Sequence, residues 1–192
     1  MVAEQPTQDL IQRQQTLVER NVTWLRQAAL LVGRIEHHQF TESPRDLAPH
    51  RVSGHLRHIL EFYECFLDGL DWSHIDYDAR RRDASIERSR AAAIQRIEVI
   101  IERLQNAPQL GGDAVIWVRM EDVDTDCPAD PFTTSSISRE LQVLSSHTIH
   151  HFALIGMTLR AHGVVLDEDF GVAPSTLRYR NSKQAASAAE AA

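Results

Sequence analysis

The stretch Ser136–His162, SISRELQVLSSHTIHHFALIGMTLRAH, decides how this chain is read. Ile137, Leu141, Leu144, Thr148, His151, Ile155 and Leu159 recur every three or four residues, the spacing of one face of an α-helix. Ser136 or Ser138 can cap its start, and Gly163 follows its end. Inside this pattern lies His147-Thr148-Ile149-His150-His151. His147 and His151 are four apart, so their imidazoles stack one turn apart on one face and can reach one ion. His151 is in phase with the apolar stripe, His147 lies about 40° from it, and His150 turns about 100° toward the flank. An unused imidazole among apolar neighbours is costly, which favours metal binding over idle packing.

Working outward, three further segments share the helical period. The first runs from about Asp9 to His38, with Leu10, Leu17, Trp24, Ala28, Leu31 and Ile35 on one side. Pro44 and Pro49 bracket the loop that follows. The second runs from about Arg51 to Gly69 with Val52, Ile59, Phe62, Phe66 and Leu70 as its stripe. The third spans Ala84 to the residues before Pro108, along Ile86, Ala93, Ile97, Ile100 and Leu104. None can bury its stripe alone, so the expected fold is all-α, a four-helix bundle with a long crossover before the fourth helix. That crossover holds Val115-Ile116-Trp117-Val118, a strand-like run that suggests a small hairpin, then an acidic stretch through Pro131. Residues 1–8 read as a flexible N-terminus, 9–182 as the domain, and 183–192 as a disordered tail with nothing to bury.

Composition narrows the function classes. A net charge of −7 argues against a nucleic-acid surface. No apolar run approaches the ~20 residues of a membrane span, and the polar segment Met1–Gln15 lacks the apolar core of a secretory signal. Cys65 and Cys127 have neither zinc-finger nor redox spacing; Cys65 reads as a small core residue, Cys127 as part of a polar loop. A reduced, cytoplasmic setting fits both. Half of the ten histidines fall within 55–58 and 147–151.

The second helix supplies His55 and His58. A third imidazole from that helix would complete a three-histidine site with an open position, the arrangement of catalytic metals. With Ile59 as reference, His55 falls about 40° away and His58 about 100°, so periodicity alone selects His55. Rival chemistries lack their signatures: no helix carries Glu-x-x-His, His-Glu-x-x-His is absent, and there is no Gly-rich phosphate loop. Arg80-Arg81-Arg82 reads either as an anion-binding cluster or as the solvated start of the third helix, paired with Asp76, Asp78 and Asp83.

Val52-Ser53-Gly54-His55-Leu56-Arg57-His58-Ile59-Leu60-Glu61, the segment His147–His151 continuing as Phe152-Ala153-Leu154-Ile155, and the long crossover together resemble the DinB-like superfamily of metal-binding four-helix bundles. The stretches Ile75–Asp83 and Phe170–Ser175 look like those of one branch of it. The resemblance spans roughly residues 8 to 162 and is carried almost wholly by the two histidine segments. It implies His58, followed three positions later by Glu61, as the ligand from the second helix, together with His147 and His151. It implies a divalent ion, nickel or zinc, with water in the open positions, and a low-molecular-weight thiol or other small molecule as partner. Glu61 would orient His58 or accept a proton, and Arg80, Arg81 and Arg82 would hold an anionic group. Relatives include thiol-dependent transferases and proteins described as metal-dependent hydrolases, and a fold does not by itself fix the reaction. A non-catalytic metal-binding or dimerisation module is the alternative of a different class. Trp24, Trp72 and Trp117 supply aromatic surface suited to a homodimer.

Overall fold

The computed structural model describes residues 4–120 and 132–190. The chain is predominantly helical. Helix α1 spans Glu4–Arg34, α2 His37–Thr41, α3 Val52–Gly69, α4 Ala84–Arg88, α5 Arg90–Asn106, α6 Ile137–Ala161 and α7 Pro174–Glu190. Strands β1 (His74–Asp76), β2 (Val115–Arg119) and β3 (Thr133–Ser136) form one sheet in that order. Helix α1 packs on α5 and α6, and α3 packs on the same two.

The second and third stripes are buried throughout: Val52, Ile59, Phe62, Phe66 and Leu70, then Ile86, Ala93, Ile97, Ile100 and Leu104. In α1 the phase is shifted. Leu10 is exposed, and Val18, Val22, Leu25 and Val32 join Leu17, Ala28 and Ile35 in the core. Helix α1 begins at Glu4 rather than near Asp9 and stops at Arg34, before α2. The third helical segment is two helices, because Ser89 is extended (φ −140°, ψ 115°) and its hydroxyl accepts from the Ala92 amide. Serine at this position caps α5 more favourably than it continues α4. Ser136 caps α6, accepting from Arg139 N at 3.3 Å.

The strand pairing expected within the crossover is present: β2 and β3 run antiparallel, with Val115 opposite Ser136 and Val118 opposite Thr133. The parallel partner β1, His74 opposite Trp117, lies in a segment read from sequence only as a polar linker. Three residues with a single buried side chain, Ile75, give no usable alternation. Gly69 makes β1 possible: a Cβ there would collide with the His74 carbonyl. The strand therefore lies against the end of α3, and residues 77–80 run back along that helix toward its histidines.

The chain past Ser182 is helical through Glu190, where its composition predicted disorder; alanine-rich sequence favours helix by intrinsic propensity. Cys127 and the acidic stretch through Pro131 lie outside the described residues. Among the described residues no helix is long and apolar enough to cross a membrane.

Candidate metal centre

Helices α3 and α6 face each other along their histidines. His58 Nε2 lies 3.1 Å from His147 Nε2, which lies 3.1 Å from His151 Nε2. The ligand atoms of these three residues all fall within 4.8 Å of one another. Each ring is half-buried. Phe62, one turn after His58 on α3, forms the wall: its ring lies 4.1 Å from that of His147 and stacks on Tyr77 at 4.9 Å and 18°. Tyr77 is held in turn by Glu140, which accepts from its hydroxyl at 3.0 Å. Below the rings, Thr148 meets the Tyr63 hydroxyl at 3.1 Å, and that hydroxyl donates to Asn21 at 2.7 Å.

Burial first, then the repulsion each ring would meet on protonation from neighbouring imidazoles and, for His58 and His147, from Arg80, holds His58 and His147 down to about 4 and His151 to about 3. All three are therefore neutral at pH 7 and present lone pairs, the form in which imidazole binds metals.

His55 occupies an outer position. Its Nδ1 lies 3.1 Å from His151 Nδ1, and its Nε2 lies 3.2 Å from Nδ1 of His50. His50 was not singled out from sequence, since it lies before α3 and outside any period. Five imidazoles thus run edge to edge from the pocket to the surface. His150 is exposed on the flank, 5.2 Å from the His151 ring, as its phase required.

The other expected site residues separate. Glu61 is buried, and both its oxygens are engaged away from His58: Oε2 accepts from Arg57 at 2.9 Å and Oε1 from the Asp83 amide at 2.9 Å. Arg80, not Glu61, meets His58: its guanidinium donates to Nδ1 at 2.8 Å and lies over the Phe62 ring at 5.1 Å. Arg81 instead pairs with Asp68 at 3.1 Å. Arg82 is exposed with a φ of 51°. The three arginines therefore do not converge: Arg80 faces the histidines, Arg81 faces Asp68, and Arg82 points to the surface. Of their expected partners, Asp83 pairs with Arg96, while Asp76 and Asp78 pair with Arg119.

The donor set fits a divalent ion. Two nitrogens each about 2.0–2.1 Å from a tetrahedral ion lie roughly 3.3 Å apart, close to the spacing here. One contact opposes it. A neutral histidine that ligates through Nε2 carries its proton on Nδ1 and donates it outward. Arg80 can only donate, so its bond to His58 must open for that ring to ligate.

No family model matches the chain, and no solved structure matches it. Among curated proteins it is similar to "FK506-binding protein 5" of Rhizopus delemar, 32% identical over 105 residues. The match takes in 55% of this chain and 27% of that protein, so the chain spans about a quarter of the relative's length.

Proposed function

We propose that the chain is a DinB-like four-helix bundle, formed by α1, α3, α5 and α6, that binds one divalent ion, nickel or zinc, through His58, His147 and His151. The convergence of three neutral Nε2 atoms from two facing helices carries this reading. A bound ion would supply a positive charge able to acidify a water or hold a thiolate, the chemistry of a metal-dependent hydrolase or thiol-dependent transferase. The chain's own residues then divide the work. Phe62 and Tyr77 close one wall against water. Arg80, displaced from His58, turns its donors to an anionic group of a small-molecule substrate or thiol. Glu61 holds Arg57 and the start of α4, which keeps α3 in register with the loop that delivers Arg80.

A homodimer through the exposed aromatic surface near the sheet fits the same reading, since Trp72, in the turn before β1, and Trp117, on β2, are 80% and 42% exposed. Trp24 is no part of such a face: it donates to Ser145 and packs edge-on against Phe152.

The test is metal content after dialysis against zinc or nickel. Wild type retains about one ion per chain, while His58→Ala, His147→Ala and His151→Ala each lose most of it, because two imidazoles hold such ions weakly. Equal retention by wild type and all three variants would remove the site.

A further inference from the structure

Each neutral imidazole has one N–H and one lone pair, so a line of imidazoles in contact must agree on a direction. With Arg80 on His58, one donor is fixed, the guanidinium. It requires a lone pair on His58 Nδ1, and so a proton on His58 Nε2. That proton points at His147 Nε2, which must accept it and carry its own proton on Nδ1. His151 Nε2 lies 3.1 Å from the same nitrogen and carries its own proton there, because two facing lone pairs would repel; the two N–H groups share the one lone pair of His147. His151 Nδ1 then accepts from His55 Nδ1, and His55 Nε2 accepts from His50 Nδ1.

Metal ligation demands the opposite at one end. With lone pairs on the three inner Nε2 atoms, His151 carries its proton on Nδ1 and donates to His55 Nδ1. His55 is then protonated on Nε2 and donates to His50 Nδ1, leaving the His50 proton on Nε2. The direction of the chain from His151 to the exposed His50 reverses with no change in charge.

We propose that His55 and His50 are positioning residues of the metal site: they fix which nitrogen of His151 carries the proton, and they transmit the occupancy of the pocket to the surface as the tautomer of His50. The proposal rests on the three-histidine reading above. His55 offers His151 the acceptor that a ligating histidine requires, a role more often taken by a carboxylate or a backbone carbonyl. His50 does the same for His55, with its ring parallel to it at 5.3 Å and 7°. The chain is specific in one respect: four of the five rings exchange tautomer on loading, while His147 is protonated on Nδ1 in both states.

The experiment is a long-range proton–nitrogen correlation spectrum of the full chain, labelled with nitrogen-15, at pH 7.5, recorded metal-free and with one equivalent of zinc. Expected is a shift of the proton from Nδ1 to Nε2 at His50 and an unchanged tautomer at His147. His55→Leu should weaken zinc binding about tenfold, as loss of such outer partners does, and His50 should then no longer respond to zinc. His55→Gln should restore both, because its amide oxygen accepts from His151 while its NH₂ donates to His50. Zinc bound by wild type with His50 and His55 unchanged in tautomer would overturn this inference alone. Zinc bound as tightly by His55→Leu as by wild type would do the same. No zinc bound by wild type would overturn both this inference and the metal site.

Discussion

Replacing Arg80 by glutamine should tighten metal binding, although it removes a residue from the rim of the site. The guanidinium donates at 2.8 Å to the His58 nitrogen that must carry a proton when that ring ligates. Loading the wild type therefore breaks this bond. Hydrogen bonds with one charged partner contribute about 1.5–3 kcal/mol, and Arg80 is only half-buried, which places its bond at the lower end. About 1.5 kcal/mol is roughly a tenfold change in dissociation constant. Glutamine adds a second gain in the same direction, since its amide oxygen can accept the His58 Nδ1 proton. Repulsion between the guanidinium and a divalent cation disappears as well.

A competition titration of zinc against a chromogenic chelator at pH 7.5 reads the effect directly. The expected result is a dissociation constant at least tenfold below that of wild type, with one site per chain retained. A melting curve in chelator checks that the variant is folded. Equal or weaker binding by a folded Arg80→Gln would refute the argument, and would mean that His58 does not ligate through Nε2 as a neutral ring.

Further outcomes follow from the same structure. The inner histidines are held neutral by burial, with His58 and His147 lowered from 6.5 to about 4. The unfolded chain takes up protons first, so the metal-free protein should lose stability as pH falls from about 6.5 to about 4, read by urea titration; a flat profile across that window would contradict their neutrality. Burial pushes the Cys65 thiol from 9.0 to about 11, so at pH 8 its alkylation by iodoacetamide should run about a hundredfold slower than that of an ordinary thiol, followed by peptide mass. Gly171→Ala should destabilise by about 2–4 kcal/mol, since φ is +75° and a Cβ would lie 2.7 Å from Ala153 N. Gly163→Ala, at φ +78° but in open space, should cost only about 1 kcal/mol, and equal costs in chemical denaturation would show that the close approach at Gly171 is not tight. Light scattering at high micromolar concentration should give a dimeric mass that Trp72→Ser lowers; a monomeric wild type would refute the proposed aromatic interface.

Much of this architecture was legible because long apolar stripes leave few alternatives. The second and third stripes, on α3 and across α4 and α5, are those read from spacing, and Ser136 caps α6 as its side chain allows. What escaped was short or non-periodic. Strand β1 has three residues, and the feature that seats it, the absence of a side chain at Gly69, becomes informative only when the facing His74 carbonyl is known. In α1 an even spread of apolar residues hides the true phase, and Leu10, on the stripe that spacing selects, lies outside. The arginine run stays open between an anion-binding cluster and a solvated, Asp-paired helix start, because sequence proximity says nothing about which way successive side chains point; Arg80 and Arg81 find different partners.

The choice between His55 and His58 shows how far periodicity reaches. Spacing selected His55, nearer the centre of the α3 stripe, and the family resemblance selected His58. Both rings face α6, because its four-apart pair offers two heights: His58 meets His147, and His55 meets the outer edge of His151. A stripe centre is defined by the average of all packing neighbours, whereas a site between two helices lies along the seam with one of them. His58 falls on that seam about 100° from Ile59, a position an apolar count assigns to the flank. His55 stands where its Nδ1 can support the far nitrogen of His151. Each reading therefore found a residue of the same assembly, and the two differ in the nitrogen of the α6 pair they approach: Nε2, where an ion would bind, or Nδ1, where a ligating histidine must be held.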